Sequence, residues 1–98
     1  MLMPTPPSLI NDALKALSHP SRILILRELS RAPMTVNELC DALPEFAQPT
    51  ISKHLAALRV LGIVSFAAQG VLHTYSVDKN ALTICAEFIR DIANGGVA

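Results

Sequence analysis

Between residues 48 and 59 the chain reads Gln48-Pro49-Thr50-Ile51-Ser52-Lys53-His54-Leu55-Ala56-Ala57-Leu58-Arg59. On a helix turning about 100° per residue, Ile51, Leu55 and Leu58 gather on one stripe. Thr50, Ser52, Lys53, Ala56 and Arg59 then fall on other faces, several of them outward near the helix start. Small residues let a helix seat deeply in a major groove. Hydroxyl and amide groups, with the first N–H groups of the helix, can hydrogen-bond phosphates and base edges. Lys53 and Arg59 bring charge that binds phosphate by releasing counterions. The chemistry on offer is that of reading double-stranded DNA. An ordinary amphipathic helix with a solvated face would carry similar residues, so the neighbouring elements decide between the two.

Those neighbours have the right form. Thr35 with Glu38 three residues later is a capping box, which starts a short helix at Val36 that ends near Leu43, with Pro44 as its stop. Gln48-Pro49 opens the next helix, with Pro49 at its first position, and Gly62 closes it as a C′ residue. Together 35–61 form a helix-turn-helix. From Ile63 to Val77 the pattern switches to a period near two, with strands at 63–67 and 72–77 and a turn at Gln69-Gly70. That hairpin makes a wing.

Further out, residues 1–8, with prolines at 4, 6 and 7, form a loose tail. Ser8 can cap a first helix, in which Leu9, Ile10, Ala13, Leu14 and Leu17 recur at helical spacing. Pro20 sits at the first turn of a second helix running to about Arg31. There Ile23, Leu24, Leu26 and Leu29 face inward, Ile25 partly so, and Arg22, Arg27 and Arg31 face out. Asp78 can cap a last helix over 79–93, whose Leu82, Ile84, Cys85, Phe88, Ile89 and Ile92 make a broad apolar face.

With 98 residues there is one domain and no room for a second core. Only three Phe and one Tyr are aromatic, and there is no Trp, so the core must be built of aliphatic side chains. That suits helices packed on helices, and a chain this small gains from burying an apolar end helix on a partner subunit. The net charge of zero argues against a strongly basic nucleic-acid binder, but the distribution matters more than the sum. From Phe46 to Val77 there is no Asp or Glu, while Lys53, His54, Arg59 and His73 are present. Positive potential over the reading unit therefore survives.

The N-terminus lacks the basic start and long apolar run of a secretory leader. No segment approaches the roughly 18–20 apolar residues that span a bilayer. Cys40 and Cys85 form no CxxC. A reduced, cytoplasmic setting with no membrane partner is expected. No nucleophile–base pair, paired carboxylates or phosphate-cradling glycine loop is present, so enzymatic activity is not expected.

On these residues the chain resembles the ArsR/SmtB family of winged-helix bacterial repressors. The likeness is carried by 16–26 (Ala-Leu-Ser-His-Pro-Ser-Arg-Ile-Leu-Ile-Leu), by Glu38-Leu39-Cys40, and by 48–55 with Leu58-Arg59 and Leu61-Gly62-Ile63-Val64. Tyr75-Ser76-Val77 closes the wing as in the family. The resemblance spans roughly 12–90. It implies a mostly α, winged helix-turn-helix fold of five helices and a two-stranded hairpin, in a homodimer paired through the first and last helices. It also implies repression from an inverted-repeat operator, relieved by an inducer or by thiol modification.

The departures from the family bear on what is sensed. Metal-sensing members carry Cys-x-Cys at the start of the third helix, where this chain has Thr35 and Asn37. A second family metal site uses Asp and His on the last helix, and 79–93 contains no His. No metal site and no cofactor are therefore expected. Cys40 follows Glu-Leu, where some thiol-sensing members keep a reactive cysteine, but their partner cysteine lies later in the last helix than Cys85. Cys40 and Cys85 are candidate thiol sensors or simply small apolar core residues. The wing, Phe66-Ala67-Ala68-Gln69-Gly70-Val71-Leu72, lacks the Arg and Lys many relatives place there, so weaker wing contacts and a shallower salt dependence are expected.

The DNA-contact candidates are thus Gln48, Thr50, Ser52, Lys53, His54, Arg59 and His73. Thr50 and Ser52 are placed for base edges or nearby phosphates, and Lys53 and Arg59 for the backbone. His19, His54 and His73 fit either a structural or a DNA-facing role. The competing class is a protein-interaction winged helix that docks a partner through its neutral hairpin and apolar end helices and reads no DNA.

Overall fold

A computed structural model describes residues 7–95. Its elements run α1 (Pro7–Ala16), α2 (Pro20–Arg31), β1 (Met34–Thr35), α3 (Val36–Ala42), α4 (Gln48–Val60), β2 (Val64–Gln69), β3 (Leu72–Val77) and α5 (Lys79–Ala93). Local chemistry sets most of these bounds. At the start of α3 the Glu38 N–H donates to the Thr35 hydroxyl at 3.2 Å, and the Thr35 N–H donates to the Glu38 carboxylate at 2.9 Å. The two groups satisfy each other's orphan N–H. Asp78 caps α5 in the same sense, accepting from the Ala81 N–H at 3.1 Å.

The end of α4 is fixed by a Schellman turn. Gly62 adopts φ +76°, its N–H donates to the Arg59 carbonyl at 3.0 Å, and the Ile63 N–H reaches back to the Leu58 carbonyl at 3.0 Å. Leu58 and Ile63 are both fully buried, which supplies the apolar contact that accompanies this motif. α4 and the wing are therefore joined with no slack.

The core lies where α2, α3 and α4 meet the wing base. Ile25, Leu39, Ile51, Leu55, Leu58 and Ile63 are its fully buried large side chains. Burying each contributes on the order of 1.5–3 kcal/mol. α1 packs against α5 on one side, and its Ala13 and Ala16 are fully buried.

Several expectations needed correction. α1 begins at Pro7, so Ser8 lies inside the helix rather than capping it, and Pro7 and Ser8 are not tail; residues 1–6 lie outside the described residues. Within α2, Ile25 is fully buried while Ile23 is largely exposed. Four consecutive aliphatics, 23–26, leave the helical phase undetermined, and the packing of α2 on α4 sets it. β2 runs to Gln69, and the turn is Gly70-Val71, since Gln69 pairs with Leu72. Gly70 has φ +63° and Val71 does not, as a II′ turn requires.

The wing also has a third strand. Met34 and Thr35 pair antiparallel with Tyr75 and Thr74, giving the order β1-β3-β2. The two-residue β1 carries no alternation of its own and exists only through this distant pairing.

Candidate nucleic-acid interface

α4 presents the surface its sequence foreshadowed. Ile51, Leu55 and Leu58 are fully buried, whereas Gln48, Thr50, Ser52, Lys53, Ala56, Arg59 and Val60 are exposed. Stepping about 100° per residue, Pro49, Lys53, Ala56 and Val60 lie directly opposite the buried stripe. Gln48, Ser52 and Arg59 form one flank and Thr50, His54 and Ala57 the other. No side-chain cap covers the helix start, where Ala47 is the N-cap. Its positive dipole end is open to an anion.

Each flank is tied to a different neighbour. On the wing side, the Arg59 guanidinium lies 4.1 Å from the centre of the Phe66 ring, a cation–π contact. Phe66 is also 4.2 Å from the His73 ring and 5.5 Å from the Tyr75 ring, centre to centre. Phe66 and Tyr75 are cross-strand partners and His73 is the diagonal neighbour, so all three stand on one face of the hairpin. The structure thus brings Arg59 and His73, far apart in sequence, onto one aromatic platform.

On the α2 side, His54 is half-buried, and its Nδ1 accepts from the Arg22 Nε at 3.4 Å. The His19 ring lies 5.8 Å from it. Burial, first, and then the charges of Arg22, His19 and Lys53 hold His54 below the ordinary imidazole value of 6.5. His54 is therefore part of the α2–α4 contact as well as of the reading helix. Sequence reasoning gave His19 a structural or DNA-facing role without placing it beside His54, and missed Arg22, Phe66 and Tyr75 as members of the surface. The register of the hairpin could have revealed the Phe66–Tyr75 pair; nothing local in the sequence joins Arg22 to His54.

The two cysteines sit on separate helices. Cys40 on α3 is half-buried, while Cys85 on α5 is buried and its thiol pKa is pushed up by burial. Among the described residues no three His, Cys, Asp or Glu side chains converge, and no helix is long and apolar enough to cross a membrane.

A helix-turn-helix whose second helix runs into a β-hairpin through a tight glycine turn defines the winged helix-turn-helix class. Residues 19–65 match the family model described as bacterial regulatory protein, arsR family. The chain is 42% identical over 64 residues to the HTH-type transcriptional repressor SmtB of Mycobacterium tuberculosis, covering 61% of this chain and 47% of that one. It is 36% identical over 73 residues to the biofilm growth-associated repressor of Agrobacterium fabrum, covering 72% and 62%. Among solved structures, an ArsR-like transcriptional regulator from Rhodococcus sp. RHA1 superposes with a TM-score of 0.79 at 30% identity, covering 90% of this chain and 80% of that one. The chain belongs to the ArsR/SmtB family. It spans about half the length of the curated SmtB relative it matches, 47%.

Proposed function

We propose that this chain is a DNA-reading transcriptional repressor in which two copies present their α4 helices to an inverted-repeat operator. The observation that carries the reading is the face of α4: polar, basic and small side chains stand free while three aliphatics fix the helix rigidly to the core. Relatives named as transcriptional repressors support it. Thr50 and Ser52 reach base edges or adjacent phosphates, Lys53 and Arg59 neutralise backbone, and the Gln48 end of the helix faces a phosphate.

Pairing follows from apolar side chains that the protomer does not cover. Leu14 on α1, Leu17 in the turn that follows it, and Phe88, Ile89 and Ile92 on α5 are exposed large hydrophobics, and α1 and α5 pack together. A second copy covers them, with the two α4 helices about 34 Å apart to enter successive major grooves. Release from DNA follows an inducer or a thiol modification, for which Cys40 is the more accessible of the two cysteines. A cytoplasmic location accompanies this role.

One observation favours the second reading, a protein-docking winged helix. At the wing tip Val71 is fully exposed and Leu72 half-exposed, and no Lys or Arg lies between residues 60 and 78. A mobility-shift titration with the DNA upstream of the chain's own coding region, at two salt concentrations, separates them. Retardation that weakens with salt supports the repressor; no retardation at low salt supports the docking module.

A further inference from the structure

Beside α4, on its α2 flank, lies a groove of about 430 Å³. Lys15, His19 and Arg22 rise along one wall, and Ala57, Val60 and Leu61 make its floor. No carboxylate lines it. Arg22 is held in place by two bonds, Nε to His54 and Nη1 to the Lys15 carbonyl at 3.1 Å, which leaves donors on both terminal nitrogens. Among the described residues the one salt bridge, Arg31 to Glu28, sits at the other end of α2. Among the described residues Lys15, His19 and Arg22, with His54 bonded to Arg22, therefore converge without a counter-charge.

We propose that this groove clamps a backbone phosphate of the operator, on the strand that runs along the α2 flank of α4, through Lys15, His19 and Arg22. The inference rests on the DNA-reading role of α4. A helix seated in a major groove has a phosphate ribbon on each side. On the wing side only Arg59 and His73 meet it. The α2 side carries the greater share of cations and so supplies the neutralisation that the wing does not. The His54 pKa is lowered first by burial and then by the charges of Arg22, His19 and Lys53, and those charges are the potential an anion would meet. Val60, 87% exposed, and Ala57 offer a small apolar surface for the sugar edge beside that phosphate.

The test compares wild type, Lys15→Gln and Arg22→Gln on operator and scrambled duplexes over a salt series, with ethylation interference to locate contacted phosphates. Among the described residues the Lys15 ammonium makes no hydrogen bond, so its substitution changes charge with little effect on packing. The expected result is a slope of log K against log salt shallower by about 0.9 for each phosphate that is no longer neutralised. Preference for the operator over the scrambled duplex stays unchanged, and one interference site on the α2 side disappears. A Lys15→Gln slope and interference pattern equal to wild type overturn the clamp while leaving the DNA reading intact. Failure of wild type to retard any duplex overturns both.

Discussion

Phe66 gives the Arg59 guanidinium a surface to lie on, and so fixes a flexible cation where the reading helix meets the wing. Phe66→Ala is expected to weaken DNA binding two- to fivefold, the equivalent of the roughly 0.5–1 kcal/mol of an exposed cation–π contact, and Phe66→Tyr to restore it. Unchanged affinity in the alanine variant would show that Arg59 needs no platform. Lys53, at the crest of the exposed face, has no such support. Lys53→Ala should weaken binding to all duplexes alike and flatten the salt slope by about one unit; a loss confined to the operator sequence would instead make Lys53 a base reader. His54 carries a pH signature. Its folded-state pKa lies below 6.5, so at pH values between the two the unfolded chain holds the proton more tightly. Stability is full above 6.5 and declines as the pH falls below it, levelling off once the folded imidazole also titrates. Denaturant midpoints measured across that range should show the decline, and His54→Gln should reduce it. These residues were unequally legible: Lys53 and Arg59 announce themselves by type and phase, whereas the roles of Phe66 and Arg22 depend on partners many residues away.

The caps at Thr35 and Asp78 and the stop at Gly62 were legible because their signals are local, whereas Ser8, read as a cap, lies inside α1. Thr35 and Glu38, three residues apart, and Gly62 after the last periodic leucine can each be read without knowing the rest of the fold. Both should matter energetically. Thr35→Ala is expected to cost about 0.5–2 kcal/mol through removal of the cap. Gly62→Ala should cost roughly 1–2 kcal/mol, because φ is +76° while an added Cβ meets no atom within 4 Å, so the penalty is backbone strain alone. Urea unfolding should show both as a lower midpoint at unchanged slope; a Gly62→Ala protein as stable as wild type would mean that the turn relaxes. Elements without local signals escaped. β1 is two residues long and is defined by β3, and the inward phase of α2 could not be chosen from four aliphatics in a row. In both cases the deciding contacts are distant in sequence.

For the molecule as a whole, the sequence marked a broad apolar face on the last helix, and the fold shows where a surplus of uncovered apolar side chains accumulates. The surplus on α1 and α5 is the surface through which two copies pair in the proposed repressor. Ending the chain at Val77 would remove Ala81 and Cys85 from the core as well, so a surface substitution is the cleaner test. Ile92 is 61% exposed. Ile92→Glu should leave the helical circular-dichroism signal intact, yield a monomer by analytical ultracentrifugation and abolish high-affinity operator binding. A variant that stays dimeric would place the pairing surface elsewhere.

Ile63 stands at a crossroads of these parts. Its N–H closes the end of α4 on Leu58, its carbonyl accepts from the Asp78 N–H at 2.7 Å, and Asp78 in turn starts α5. One residue thus serves as the common bearing for three elements. A change in the tilt of α5 would therefore pull on the end of α4 through two backbone hydrogen bonds that meet at a fully buried residue.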